Sequence, residues 1–197
     1  MNGQEALARL RRTLDEGGVI MGAGAGTGLS AKCAEAGGAD LIIIYNSGRY
    51  RMAGRGSLAG CMPYGDANEA GLLTTPYVFD EAQARAMADA GADVVVAHMG
   101  LTTKGQIGAT TALTIEAAAE RVQRIRDAAA EVNPNIIALC HGGPIAEPDD
   151  AQYVLDHTTG VAGFFGASSM ERLPTEVAIT ENMRRFKRIA RVAEAAG

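Results

Sequence analysis

Six continuous apolar runs, each separated from the next by a longer polar or helical stretch, constrain this chain more than any other feature. They are VIMGAGAG (19–26), DLIIIYN (40–46), LLTTPYVF (72–79), DVVVAHM (93–99), IIALC (136–140) and VAGFFGAS (161–168). A run without polar alternation is the pattern of a strand buried on both faces. Helical spacing marks 2–16, 29–40, 80–91, 114–131 and 148–157, with a last helix at about 174–195. Strand and helix alternate with a pitch of roughly 20–40 residues, which predicts βα units around a parallel sheet. Loops rich in Gly, Ser, His and Asn follow nearly every strand instead of clustering at one switch point. That distribution favours a closed (β/α)8 TIM barrel over an open doubly wound sheet.

One connection breaks the pattern. From Asn46 to Gly71 the chain reads NSGRYRMAGRGSLAGCMPYGDANEAG, glycine-rich and without helical periodicity. A parallel crossover needs a helix there. Asp66 and Asn68 look like the start of a helix, Glu69-Ala70-Gly71 like the end of one, and the body between them is absent. A barrel of this class takes about 250 residues, against 197 here. About two βα units are therefore missing between residues 68 and 71. Six strands cannot close a barrel whose tilt and shear are set for eight. A segment left out of the sequence as written is thus a simpler expectation than a true six-strand fold.

The length suits a single domain spanning 1–197. A net charge of −5 argues against a nucleic-acid or anionic-membrane partner. No apolar run reaches the length of a membrane span, and the first twenty residues are charged rather than signal-like, so a cytoplasmic protein is expected. Cys33, Cys61 and Cys140 are widely spaced and odd in number, the pattern of reduced thiols rather than of a disulfide frame or zinc site.

Candidate site residues gather where strands end. His98 and His141 close the fourth and fifth strands, on the same side of any parallel sheet. A lone histidine there is most often structural. Two on adjacent strand ends, one followed by Gly142-Gly143-Pro144, favour a site that moves protons or holds an oxyanion. Asn46, Ser47, Gly48, Arg49 and Arg51 follow the second strand, and arginines among glycines in an acidic chain suit a phosphate or carboxylate. Ser168 and Ser169, after the sixth strand, either cap the next helix or bind phosphate, and Glu171 with Arg172 can form an ion pair that braces that loop. GAGAGTGLS (22–30) lacks full GxGxxG spacing and the acidic residue that a dinucleotide site needs, so no nucleotide is expected. Its leading reading is a tight turn, with anion binding at the following helix second. His157 sits in a helix-to-strand region and reads as structural.

The segments GAGAGTGLSAKCAEAGGADLIIIYNSGRYRMAGRGSLAG, MPYGDAN, LLTTPYVFDEAQARAMADAGAD, VAHMGLTT, LCHGGPIAEPDDAQYVLDHT and GFFGASSMERLPTE resemble the phosphoenolpyruvate hydrolase-like TIM-barrel family. That barrel is in turn similar to the barrel portion of the plant tobamovirus-resistance protein, and more loosely to phosphoenolpyruvate mutase and isocitrate lyase enzymes. The resemblance implies a (β/α)8 barrel acting on a small phosphorylated or phosphonylated keto-acid; the partners expected are that small anionic substrate and further copies of the chain in a homo-oligomer. His141 and His98 would be catalytic. Asn46, Ser47, Gly48, Arg49, Arg51, Gly142, Gly143, Ser168 and Ser169 would hold the anionic substrate. Relatives of the mutase class use Mg2+ on acidic residues. Here Asp66 is the one acidic residue to nominate for it, since no DxDxG-like motif is present. A non-catalytic ligand-binding or regulatory barrel is the alternative. Family members carry more chain between the GDAN and LLTTPY motifs, where the missing crossover falls.

Overall fold

The computed structural model describes residues 3–44, 46–54, 73, 75–104, 109 and 113–188, without the side chains of Asn46, Ser47 and Arg51. In chain order the elements are α1 (Gly3–Asp15), β1 (Ile20–Gly24), α2 (Gly28–Ala36), β2 (Leu41–Ile43) and α3 (Asn46–Met52). They continue with β3 (Tyr77–Val78), α4 (Glu81–Asp89), β4 (Val94–His98), α5 (Ile115–Val132), β5 (Ile137–His141), α6 (Pro148–Asp156), β6 (Val161–Gly166) and α7 (Arg172–Phe186). Helix starts follow local chemistry. Asp80 and Thr114 accept hydrogen bonds from Gln83 N (2.8 Å) and Ala117 N (3.2 Å), which satisfies amides that the first turns of α4 and α5 leave unpaired.

All ladders are parallel, in the order β2-β1-β6-β5-β4-β3. The first strand pairs with the last, Ile20 beside Gly163 and Ala23 beside Gly166. Every ladder present is one that a βα barrel has around its circumference. The β2–β3 ladder is absent among the described residues. The fold is therefore an α/β barrel with its gap at the junction the sequence singles out; Asp66 and the rest of that junction lie outside the described residues.

Two differences from expectation have local causes. The stretch after β2 is not irregular: Asn46–Met52 form the short helix α3. Strand β3 shrinks to two residues, because Pro76 has no amide to give a ladder; its carbonyl still accepts from Val96 N at 2.9 Å.

Alternation along the strands sorts the core into two layers. Val95, Ala97, Ala138, Cys140 and Phe164 face outward and pack with Ala84 and Ala88 of α4 and with Ala118, Val122, Ile125 and Ala129 of α5. The α5 residues recur at i, i+4, i+7 and i+11, a single helix face. Ile20, Val94, Val96, Ile137, Leu139 and Phe165 face inward. Leu7 and Leu10 of α1 join that inner layer, each at most 3% exposed, and Arg11 reaches Asp93 just before β4 (3.8 Å). Helix α1 thus covers the N-terminal end of the inner layer, each leucine contributing about 1.5–3 kcal/mol by burial. The C-terminal ends of the strands remain for a site.

Candidate functional site

On β4 and β5 the inward positions are Val94, Val96, His98 and Ile137, Leu139, His141. The ladder sets His98 directly beside His141. Two apolar layers thus form the floor beneath two imidazoles whose ring centres lie 4.7 Å apart at 65°. His141 is buried, and His98 is half-buried.

Backbone partners give the two rings opposite tautomers. Gly100 N donates to His98 Nδ1 at 3.0 Å, so Nδ1 is the acceptor and the proton of the neutral ring sits on Nε2. His141 Nδ1 lies 2.5 Å from the Phe165 carbonyl oxygen, which only accepts, so Nδ1 carries the proton and Nε2 the lone pair. The Nδ1 partners thus leave the proton on Nε2 in His98 and the lone pair on Nε2 in His141.

Around them stands an aromatic collar that the strand reading did not single out. Tyr77 stacks on His141 (4.9 Å, 17°) and meets His98 edge-on (4.8 Å, 82°). Phe79 tilts against His98 at 4.8 Å, and Phe165 meets His141 edge-on at 6.0 Å. Alternation in TPYVF carries the signal for this: Val78 is fully buried on the helix side, so Tyr77 and Phe79 must face inward.

Gly142 and Gly143 have a structural cause of their own. Both have positive φ, +75° and +59°, and a Cβ on either would stand 2.3 Å from a carbonyl oxygen, of Gly100 and Met99 respectively. Only glycine lets the two loops cross so closely. Hydrogen bonds fasten the crossing, Met99 N to His141 O (2.8 Å), Gly143 N to Gly100 O (2.7 Å) and Thr103 N to Gly143 O (3.1 Å).

A second group gathers at the ends of β1, β2 and β6. The Glu171 carboxylate, 4% exposed, accepts from Gly26 N (2.7 Å) and from the Ser30 hydroxyl. The anion at the start of α2 is thus the chain's own. Gly26 also packs on α3, where a Cβ would meet the Gly48 carbonyl at 2.2 Å. Gly48 is buried, and Arg49 is exposed. Ser168 is buried with its carbonyl bonded by Leu173 N (2.9 Å), and Ser169 is half-buried. The expected Glu171–Arg172 pair does not form, because neighbours in sequence at a helix start point apart. Buried Arg172 turns instead to Glu176 (2.8 Å) and to the Lys104 carbonyl (3.1 Å). Lys104 in turn pairs with Asp150 at 2.8 Å. Burial alone would raise the Asp150 pKa. Hydrogen bonds from Lys104 and from the Glu147 and Ala146 amides outweigh it, and the net shift is downward. Burial pushes the Cys140 thiol up to about 12, whereas Cys33 is exposed. His157 stacks on Tyr153 (3.9 Å) and bonds its carbonyl, the structural role expected.

Mg2+ prefers oxygen ligands in octahedral array. Among the described residues no group of three or more His, Cys, Asp or Glu side chains is placed to hold a metal. The rim carboxylates of Glu171 and Asp150 are engaged as above. The described rim does not fit the ion, and Asp66 and the side chain of Arg51 lie outside what is described.

A family model described as phosphoenolpyruvate hydrolase-like matches residues 5–70 and 69–189. The chain belongs to the phosphoenolpyruvate hydrolase-like family. Two tomato (Solanum lycopersicum) proteins, the ToMV susceptible protein tm-1(GCR26) and the ToMV resistance protein Tm-1(GCR237), are each 42% identical to it over 266 residues. Each alignment covers 93% of this chain and 35% of the relative, so the chain spans about a third of the length of these curated relatives. Since 93% of 197 is about 183 residues, about 80 of the 266 aligned positions have no counterpart here. The family match breaks at 69–70, which puts the missing stretch at the interrupted crossover. Among solved structures, 2,3-dimethylmalate lyase, titled a PEP mutase/isocitrate lyase superfamily member, is 13% identical with a TM-score of 0.38, covering 98% of this chain and 92% of that one. A likeness that loose decides nothing; the ladder order and the family match do.

Proposed function

We propose that this barrel hydrolyses a small phosphorylated or phosphonylated keto-acid of the phosphoenolpyruvate or phosphonopyruvate kind, with His98 and His141 as its proton-handling pair. The observation that carries the reading is a pair of adjacent imidazoles at the C-terminal rim with opposite Nδ1 partners, an amide N–H for His98 and a carbonyl oxygen for His141. Hydrolysis needs one group to take a proton from water and another to give one to the leaving fragment. His141 Nε2 is the base and His98 Nε2–H the donor. Arg49 and Arg51 of α3, with the Ser168-Ser169 loop, are the proposed anchors for the anion, and Asp66 is the residue to test for Mg2+. Release of phosphate from both compounds, with and without Mg2+, tests the activity. His141→Gln is expected to lose about 10²–10⁴-fold in kcat. Arg49→Ala is expected to weaken binding by about 1.5–3 kcal/mol, the loss of a charged hydrogen bond.

A second reading, a non-catalytic binding barrel, draws on Glu171. That carboxylate occupies the amide at the start of α2 that an anionic ligand would use, and the tomato relatives are named for a virus phenotype rather than a reaction. No phosphate release from either compound, in a chain that still binds them, favours this second reading.

A further inference from the structure

We propose that the second half of α7 docks into a groove on a second copy of this chain, two copies exchanging these helices about a twofold axis. The last helix of the fold is little used by its own barrel. Of its fifteen residues only Arg172 and Leu173 are buried, whereas the eighteen-residue α5 buries six. Ile179, Met183 and Phe186 recur at i, i+4 and i+7, one helix face, and stand 58–63% exposed. Large apolar side chains gathered on one open face mark a contact surface.

The same chain carries a surface that fits it. A groove of about 560 Å3 runs along the outer face of β1. Met21 and Ala23 line its floor, Cys33 and Ala34 of α2 one wall, and Pro174 and Ala178 of α7 the other. None of the nine residues of α2 is buried. At 1.5 Å per residue, α2 and the exposed half of α7 are each about 12–14 Å long, so one can lie along the other. The chain's own α7 does not fill the groove, because its start is pinned elsewhere. Gly26 N donates to Glu171 (2.7 Å), Leu173 N to Ser168 O (2.9 Å) and Arg172 to Lys104 O (3.1 Å), and the helix then runs unbroken to Phe186. The stretch that the relatives add falls beyond β2, on the side away from β1, and so away from the groove.

Charge selects the occupant. Residues 172–188 hold five basic and two acidic side chains, a net of +3, so the rest of the chain carries −8 within the overall −5. A basic helix with an apolar stripe is complemented by an acidic body, and this protein has that body. An anionic membrane would attract the helix but repel the body behind it. The first turns of α7 wall the groove and its later turns carry the stripe. One twofold operation therefore closes both contacts at once, the isologous arrangement.

The test is sedimentation equilibrium of the intact chain over a range of concentrations, with Met183→Asp as the disrupting variant. Met183 is exposed within one copy, so the variant should keep the parent's far-UV circular dichroism. The parent should exceed the 20.4 kDa of one chain, and Met183→Asp should weaken association by about tenfold or more. A second arm locates the contact. Met183→Cys oxidised with diamide should give a disulfide-linked pair that Cys33→Ser abolishes, because the exposed Cys33 lines the groove. A mass of 20.4 kDa at every concentration overturns the proposal, as does an assembly that Met183→Asp leaves intact. A linked pair that fails to form, or that survives Cys33→Ser, overturns it as well. A monomer that instead sediments with phosphatidylcholine vesicles holding about a third phosphatidylserine assigns the stripe to a membrane and overturns it too.

Discussion

The β4–β5–β6 side of the barrel and the β2 edge are built from the same kind of apolar run, yet they are buried very differently. Every residue of β5 is buried, and Val94, Val95, Val96 and Leu139 have no measurable exposure. In β2 no residue is fully buried, Ile42 is 37% exposed and Ile44 just beyond it 62%. The contrast lies in neighbours, not composition. β5 has a ladder on both sides and helices over it. Among the described residues β2 has one ladder, and the relatives' extra stretch of about 80 positions falls where its second would be. An apolar run is a demand for cover, and among the described residues that cover is fuller around β5 than around β2.

The sharpest way to break this comparison is to truncate one residue from each region. Leu139→Ala should lose about 2–5 kcal/mol in urea unfolding, through lost transfer energy and the cavity left under the histidines. Ile42→Ala should lose less, about 1–2 kcal/mol, because more than a third of its surface stays in water on folding. Equal losses would show that β2 is covered after all.

Smaller in effect is the brace joining the two regions across the rim. Glu171→Ala removes the acceptor for Gly26 N and the Ser30 hydroxyl and is expected to lose about 1–3 kcal/mol, the desolvation penalty of a polar group left unpaired. A loss near zero in thermal unfolding would show that water replaces the carboxylate and that the loops after β1 and β6 stand independently.

The smallest expected effect is at Lys104–Asp150, which ties the loop after β4 to the first turn of α6 inside the better-built region. The folded-state pKa of Asp150 is lowered, so its contribution is present above the unfolded carboxylate value and is lost as pH falls through the folded one. Asp150→Asn should therefore lose at most about 1 kcal/mol at neutral pH, in keeping with a solvent-screened pair. Chemical unfolding against pH should show the two proteins converging in acid. A gap that widens in acid would reverse the sign.

These contrasts also explain what could be read ahead of the structure. β4, β5 and α5 were legible because their signal is local: unbroken Val, Ile and Leu in the strands, and a Thr-capped helix with one apolar face. The interrupted crossover was legible for the same reason, as a missing local pattern. Helix α3 was not, since Gly48 in its middle lowers helix propensity, and what favours glycine there is close packing against Gly26, over twenty residues away. Glu171 escaped because its partner amide lies 145 residues off, and spacing rules reach only one helical turn. His98 and His141 could be named from strand ends, but their tautomers depend on the Gly100 amide and the Phe165 carbonyl. Tyr77 reads as one more core aromatic until alternation is followed residue by residue.

The ladder between β1 and β6 has a consequence for how the chain is made. Ile20 pairs with Gly163, so 143 residues separate the partners. At a synthesis rate of about 5–20 residues per second, β1 waits about 7–30 s for the strand that covers its edge. During that interval the β1 edge that β6 will cover has no partner, and the inner layer that Leu7 and Leu10 join still lacks Phe165. A nascent chain in this state displays an unpaired strand edge, the feature that recruits chaperones or other unfinished chains. The contact that gives the finished barrel its circumference becomes available only with β6, which ties successful folding to protection of the β1 edge until then.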